Sequence, residues 1–350
     1  MKFLSVVGAR PQFVKAAALS EKLRQKGEEI LVHTGQHYDD NMSQVFFDEL
    51  GIPKPDVYLG IGGGSHAEQT GYMLIELEKV LLREKPDWCI VFGDTNSTLA
   101  GALAAAKIHI PVAHVEAGLR SFNKEMPEEI NRILCDHISD ALFCPSQKSA
   151  NLLRSEGITE GVHIVGDVMA DVFKRSLARA EESSTILAKL RLQPKSYILI
   201  TVHRAGNTDN LEDLRALIET LGDLKQPVVF PMHPRTRNVV QAENIHIPQN
   251  VIVLDPVGYF DILKLESNAS AIMTDSGGMQ KEAYWAGVRC ITLREETEWT
   301  ETVEVGWNRI VGIDPGLILD TVLNWFPNEK HPDIYGDGSA AEKMVEVLNS

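Results

Sequence analysis

The sequence predicts an α/β protein of two domains, each a parallel sheet with helices on both faces. Short apolar runs alternate with helical patterns through both halves of the chain, the signature of successive β–α–β units. The alternation lapses over residues 166–191, where the pattern turns helical and charged, and then restarts. At 350 residues the chain also exceeds what one typical core organises. The junction falls near residues 166–170, which gives an N-terminal domain over 1–167 and a second domain from 168 onward. Polar residues cluster just past the strand ends in both halves, where open parallel sheets bind ligands. Two such domains facing each other place the site in the cleft between them.

In the first half, Phe3 to Val7 is a strand, followed by Gly8-Ala9-Arg10-Pro11 and a helix through Lys15 to Leu23. Pro11 suits the first helical position, where its missing N–H costs nothing. Ile30 to His33 is the next strand, leading to Thr34-Gly35-Gln36-His37 and a polar loop. Trp88 to Phe92 precedes Gly93-Asp94-Thr95 and an Ala-rich helix to Lys107, and Pro111 to Val115 ends at Glu116. Ala141 to Cys144 and His163 to Val165 complete that half. In the second half, Tyr197 to Val202 ends at His203-Arg204 and Val228 to Met232 ends at His233-Pro234-Arg235. Val251 to Leu254, Ala271 to Met273 and Cys290 to Leu293 follow, the last ending at Arg294. Gly60-Ile61-Gly62-Gly63-Gly64-Ser65 has the look of a dinucleotide loop but lacks its last glycine and follows no first β–α–β strand, so it reads as a flexible loop.

Bulk properties narrow the function. A net charge of −15 argues against a nucleic-acid or anionic-membrane surface, so an anionic ligand must be held by local arginines and helix ends. The N-terminal apolar run stops at Gly8 and reads as a strand, not a signal peptide, and no stretch is long enough to span a bilayer. Four scattered cysteines with no Cys-x-x-Cys point to a reducing, cytoplasmic setting and away from a zinc site. No P-loop lysine motif and no Gly-x-Ser-x-Gly nucleophile elbow is present.

The stretch from Thr274 to Glu282 reads as a strand end, a small-residue turn and a helix start. The Ser276 hydroxyl can cap the helix, Gly277 and Gly278 clear room, and the first helical N–H groups can grip an anion. Glu282, about one turn inside, is placed to accept hydrogen bonds from ribose hydroxyls; an ordinary capped turn is the alternative. Arg10, at the end of the first strand, can fork onto a phosphate or be a solvated surface residue, and Arg235 or Arg237 could join the grip. Among the acids, Asp94 reads as a helix cap or a catalytic group, and Glu116, closing a buried strand before two small residues, favours function. Glu128, after Pro127, fits a plain helix start equally well. For His203 and His233, ligand contact competes with hydrogen bonding to a neighbouring loop.

Taken together, these stretches resemble a known family. Gly8-Ala9-Arg10-Pro11-Gln12, Gly35-Gln36-His37, Gly93-Asp94-Thr95, His114 to Arg120, Pro127 to Arg132, Thr274 to Gly278 and Tyr335-Gly336-Asp337-Gly338 are similar to motifs of the non-hydrolysing UDP-N-acetylglucosamine 2-epimerases. The matches are collinear and run nearly end to end. The resemblance implies two Rossmann-like domains facing across a cleft, the glycosyltransferase-B-like fold: an N-terminal domain over 1–167, a UDP-binding domain over 168–330, and a C-terminal helix over 331–350 crossing back to the first domain. It implies a cytoplasmic homodimer with a UDP-sugar as ligand and neither metal nor cofactor. Arg10, Lys15, His233, Ser276, Gly277, Gly278, Glu282 and Arg294 would bind that substrate, and Asp94, Glu116, Glu128 and His203 would be catalytic. Gln36, His37 and Gln69, with His233, match a regulatory site that takes a second UDP-N-acetylglucosamine.

Departures from the commoner family pattern bear on the sugar and on regulation. Gln12 stands where glutamate is usual, Trp299-Thr300 where Arg-Pro is usual, and Asp39 and Glu68 where a glutamine and an arginine are usual. The first two resemble the branch acting on UDP-2,3-diacetamido-2,3-dideoxyglucuronate, and the lost cation implies altered or absent activation. A glycosyltransferase of the same fold, a hydrolysing epimerase and a non-catalytic UDP-sugar binder are the competing classes.

Overall fold

In a computed structural model, which describes residues 1–36, 53–327 and 330–350, the chain splits into two compact units. One comprises Met1–Val172 and Asp333–Ser350, the other Phe173–Pro332. In the first unit β1 (Lys2–Val7), α1 (Arg10–Lys26), β2 (Glu28–His33), β3 (Val57–Tyr58), α2 (His66–Glu84), β4 (Trp88–Phe92) and α3 (Asn96–Lys107) are followed by β5 (Val112–Val115), α4 (Pro127–Ile138), β6 (Ala141–Cys144), α5 (Gln147–Ser155), β7 (Val162–Ile164) and α6 (Val168–Ser183). The unit boundary falls within α6.

The seven strands are parallel, in the order β3-β2-β1-β4-β5-β6-β7. Phe3, Leu4, Val6 and Val7 are all fully buried, as expected of a strand covered on both faces. Helix α3 lies close on the sheet through Gly101, where a side-chain carbon would come within 3.0 Å of Val91 Cγ1 and 3.2 Å of Val6 Cγ2. The order reverses between β1 and β4, so the loops after these strands diverge and open a crevice at their carboxyl ends.

The second unit repeats the plan. Its elements are α7 (Ile186–Leu190), β8 (Ile198–Thr201), α8 (Ala205–Thr208), α9 (Leu211–Gly222), β9 (Val228–Pro231), α10 (Pro234–Ala242), β10 (Val251–Leu254), α11 (Tyr259–Asn268), β11 (Ala271–Thr274), α12 (Gly277–Trp285), β12 (Cys290–Thr292), α13 (Thr300–Glu304), β13 (Asn308–Ile310) and α14 (Pro315–Asn324). The six strands are parallel in the order β10-β9-β8-β11-β12-β13, with the reversal between β8 and β11. The last helix, α15 (Ala340–Leu348), packs on α1 in the first unit, and Asp171 accepts the N–H groups of Ala340 and Ala341 at 3.1 and 2.8 Å, capping it.

The strands read from the sequence are present, with ends that differ by a residue or two. Two more were not read, Val57–Tyr58 and Asn308–Ile310, because two- or three-residue strands carry no periodicity. Helix α1 starts at Arg10, which puts Pro11 second, not first. Among the described residues no helix is long and apolar enough to cross a membrane. Cys89, Cys135, Cys144 and Cys290 are all free and buried.

Candidate active site

In the first unit, side chains gather at the carboxyl ends of β1, β4 and β5. Glu116 follows β5 and pairs with the ammonium of Lys15 from α1. Its backbone is left-handed, with φ at 73°, which costs a non-glycine residue about 1–2 kcal/mol. Strain of this kind persists where the surroundings impose it, commonly at working sites. Beside it, Gly93 also has positive φ, 63°; a side-chain carbon there would sit 3.5 Å from Glu116 Oε2 and 3.6 Å from Lys15 Nζ. Burial disfavours the Lys15 charge, but Glu116, Asp167 and Asp94 outweigh it and raise the Lys15 pKa, so the ammonium stays charged.

Asp94 is not the helix cap. That task belongs to Thr95, whose hydroxyl accepts from Thr98 N, while Asp94 pairs with Arg132 from α4. Arg132 also reaches Glu129 at 3.0 Å, and Asn131 donates to the Asp94 carbonyl at 2.9 Å. Glu129 is buried and accepts from Ser121 N, Ser121 Oγ and Phe122 N at 2.8, 2.9 and 2.9 Å. Burial pushes its pKa up, but these donors and Arg132 pull it below the usual range. Glu128 is half-buried at the start of α4, with no hydrogen bond or ion pair to the described residues.

Two buried devices hold these loops. The Gln12 amide accepts from Gly8 N and Ala9 N at 2.7 and 3.0 Å and donates to the Phe92 carbonyl at 2.6 Å, tying the loop after β1 to the loop after β4. A carboxylate could not donate that last bond, so the glutamine has a local reason. Fully buried His114 lies between Gly93 O, 2.7 Å from Nε2, and Asp136 Oδ1, 2.8 Å from Nδ1. Asp136 in turn receives Arg120 at 2.6 Å, and Arg120 reaches Glu156. Burial opposes charge on His114, yet Asp136, Gly93 and Asp94 together raise its pKa.

Gln36 Oε1 accepts from Ser97 N at 2.9 Å and Ser97 Oγ at 2.6 Å, and Gln69 Oε1 accepts from Asn96 Nδ2 at 3.0 Å. Both regulatory candidates therefore grip the first turn of α3, next to Asp94. His37 and Asp39 lie outside the described residues. Glu68 forms a capping box with Ser65, accepting from Ser65 N and Oγ at 2.9 Å each.

In the second unit a cavity of about 380 Å³ opens at the carboxyl ends of β8, β9 and β11, lined by His203, His233, Pro256, Ile262, Ser276 and Met279 among others. Its size and mixture of apolar walls with a few polar groups suit a small-molecule ligand. Ser276 caps α12, its hydroxyl accepting from Met279 N, and a side-chain carbon at Gly278 would meet that hydroxyl at 3.9 Å. The rings of His203 and His233 are 5.8 Å apart; His233 Nδ1 accepts from Arg235 N at 3.2 Å and so caps α10. Arg294 forks onto Glu298 at 2.8 and 3.0 Å. Glu282 is half-buried; burial pushes its pKa up to about 7 against the pull of Lys281. Fully buried Glu266 is raised further by burial and by Glu282, and neither of its oxygens has a hydrogen-bond partner among the described residues.

Thus Lys15, Glu116 and Asp94 come together in one unit, with Arg10 opening α1 at an exposed position nearby in sequence and Glu128 outside their hydrogen-bonded network. His203, His233 and Ser276 come together in the other. The residues missed from sequence are the partners: Arg132, Asn131, Gln12, His114, Asp136 and Asp275. Several sit inside the stretches already singled out, but a pair such as Asp94 and Arg132, far apart in the chain, leaves no trace in local pattern. Among the described residues no group of His, Cys, Asp and Glu could hold a metal ion.

Residues 21–349 match the family model for UDP-N-acetylglucosamine 2-epimerase. The chain is 49% identical to a UDP-N-acetylglucosamine 2-epimerase homolog of Methanococcus maripaludis, covering 100% of both. It is 46% identical to the UDP-2,3-diacetamido-2,3-dideoxy-D-glucuronate 2-epimerase of Pseudomonas aeruginosa, covering 99% of each. The solved structure of Methanocaldococcus jannaschii UDP-GlcNAc 2-epimerase in complex with UDP-GlcNAc and UDP matches with a TM-score of 0.81 and 43% identity, covering 100% of this chain and 99% of that one. The two Rossmann-like units are thus of the glycosyltransferase-B-like fold, in a lineage of isomerases. The chain belongs to the UDP-N-acetylglucosamine 2-epimerase family.

Proposed function

We propose that this protein is a non-hydrolysing epimerase that reversibly inverts C2 of UDP-N-acetylglucosamine to give UDP-N-acetylmannosamine. The C2 hydrogen of such a sugar is not next to a carbonyl, so direct deprotonation is too costly. In the proposed route a carboxylate takes that proton while the C1–O bond to UDP breaks. The C–H electrons become the C1=C2 double bond of a glycal, and the bond pair leaves with UDP. UDP then adds back at C1 as a proton arrives on the opposite face of C2. The supporting observation is the pair of acids at adjacent strand ends, each set beside its own cation, Glu116 on Lys15 and Asp94 on Arg132.

In this reading Asp94, Glu116, Glu128 and His203 carry the proton transfers. Ser276, Gly277 and Gly278 take the diphosphate at the start of α12, where free N–H groups and the helix dipole stabilise the departing charge. Arg10, Lys15, His233 and Arg294 complete the substrate contacts, and Glu282 receives the ribose. Gln36 and Gln69, with His37, are assigned to a regulatory ligand, altered by Asp39 and Glu68.

The reading extends to a cytoplasmic homodimer serving cell-surface polysaccharide synthesis. Tyr72 and Ile75 on α2, with Ile130 and Leu134 on α4, expose large apolar side chains on two helices that flank α3, a face suited to a second copy. Light scattering of the purified protein at twice the monomer mass is the expected result. The activity is tested by proton NMR in deuterated water, with UDP-N-acetylglucosamine and then its diacetamidoglucuronate counterpart. Deuterium at C2 together with the manno epimer is expected; the absence of both with either sugar would refute the reading.

A further inference from the structure

Asp275 stands between β11 and Ser276 and is fully buried, yet its carboxylate meets five donor contacts. Oδ2 accepts from His203 N at 3.0 Å, Arg204 N at 2.9 Å and Asn207 Nδ2 at 3.2 Å. Oδ1 faces the His203 ring, 3.1 Å from Nδ1, and lies 3.2 Å from His203 N. Burial alone would push the Asp275 pKa up, but the contacts from His203 and Arg204 hold it below the usual carboxylate range. An ionised carboxylate can only accept, so the neutral His203 ring must carry its proton on Nδ1. Nε2 is then left as an acceptor on the far side of the ring, with no hydrogen-bond partner among the described residues, in the cavity that Ser276 also lines.

We propose that Asp275 is a positioning residue for the epimerase reaction, fixing the tautomer and direction of His203 from the same turn that receives the diphosphate. This rests on the function proposed above. It makes His203 Nε2 a proton acceptor toward bound sugar nucleotide, and it ties placement of the imidazole to the Ser276 turn through adjacent residues. The His233 ring also faces His203, 5.8 Å away, and its Nδ1 is already occupied by Arg235 N. His203 Nδ1 faces the Asp275 carboxylate, so the tautomer depends on Asp275.

The two carboxylate oxygens differ in what they could lose. Oδ2 serves three N–H donors and must remain oxygen, so in Asp275→Asn the amide nitrogen takes the place of Oδ1. That nitrogen donates to His203 Nδ1 and drives the ring proton to Nε2, reversing what the pocket sees. Reversal of this kind in a histidine–carboxylate pair lowers kcat by roughly 10²–10⁴-fold while binding is largely kept.

The test is ¹⁵N imidazole NMR of the full-length protein, with His203→Gln used to assign the ring, alongside kcat for UDP-N-acetylglucosamine and calorimetric binding of UDP. The wild type is expected to show the Nδ1–H tautomer. Asp275→Asn is expected to show Nε2–H, with kcat down at least about 100-fold and UDP affinity within about fivefold. A wild-type Nε2–H tautomer overturns the proposal even if the variant fails to fold. So does a variant with kcat within about threefold of wild type, or one whose loss is entirely in UDP affinity. The tautomer and UDP binding need no turnover, so a wild type that shows the Nδ1–H form but exchanges no C2 proton refutes the epimerase reading and leaves the Asp275–His203 geometry standing.

Discussion

Replacing His114 with glutamine tests whether a buried imidazolium holds the Gly93–Asp94 loop. Both ring nitrogens face atoms that accept: a peptide carbonyl at 2.7 Å and a carboxylate at 2.8 Å. Only the doubly protonated ring satisfies both. A glutamine amide can donate to one of them and must turn its oxygen toward the other. An unsatisfied buried carbonyl costs about 1–3 kcal/mol. Breaking a buried ion pair costs about 3–5 kcal/mol, and Asp136 keeps Arg120, so about half of that applies. His114→Gln should therefore destabilise the protein by about 3–5 kcal/mol, read by urea unfolding. The pH dependence has a definite sign. The folded-state pKa of His114 is raised above the ordinary value of 6.5, so the charge-dependent stabilisation is complete below about pH 6.5 and is lost as pH rises through the raised value. The gap between wild type and variant should narrow as pH climbs above neutrality. A gap below about 1 kcal/mol, or one that widens with pH, would show that His114 is neutral and refute the reasoning.

Arg132→Met should lower kcat by about 10²-fold or more while changing UDP affinity little, because it frees Asp94 rather than the nucleotide; steady-state kinetics with UDP calorimetry checks this. Gln12→Leu leaves Gly8 N and Ala9 N without their side-chain acceptor, while the Phe92 carbonyl keeps the Thr98 hydroxyl, and should cost about 2–4 kcal/mol by urea unfolding. Burial pushes the Glu282 pKa up to about 7, so if the carboxylate is the form that receives ribose, UDP affinity should rise with pH through about 7. That rise should be absent in Glu282→Gln, as calorimetry at pH 6 and pH 8 would show. Rate curves on UDP-N-acetylglucosamine alone should be hyperbolic; a sigmoidal curve made hyperbolic by a trace of added ligand would show that activation survives Glu68 and Asp39.

Much of the fold was legible because its signals are local. Continuous apolar runs such as Trp88–Phe92 and Ala141–Cys144 announce fully covered strands, and their alternation with helical patterns announces parallel sheets. The shortest strands escaped because two or three residues cannot express a period. Strand ends also pointed to Glu116, His203 and Ser276, since chemistry in such folds gathers at carboxyl edges. What sequence could not give was partnership. Asp94 looked like a helix cap until Thr95 proved to hold that position and Arg132 proved to hold Asp94. Asp275 lies within the turn read from the sequence, but its bonds to His203 arise only when β8 and β11 become neighbours across the switch point.

The same partnerships answer how a chain of net charge −15 can serve a ligand carrying a diphosphate. Four acids near the proposed sites are matched by cations: Glu116 by Lys15, Asp94 by Arg132, Glu298 by Arg294 and Asp209 by Arg235. Glu282 follows another route. In the helix that starts at the proposed diphosphate turn, burial pushes its pKa up to about 7 against the pull of Lys281, which weakens the negative charge where a phosphate would arrive. The first group of acids each face a cation, whereas burial pushes the Glu282 pKa up to about 7. For the proposed reaction, acids set beside cations and an acid whose charge burial weakens are two different environments, and the chain supplies both without reversing its overall charge.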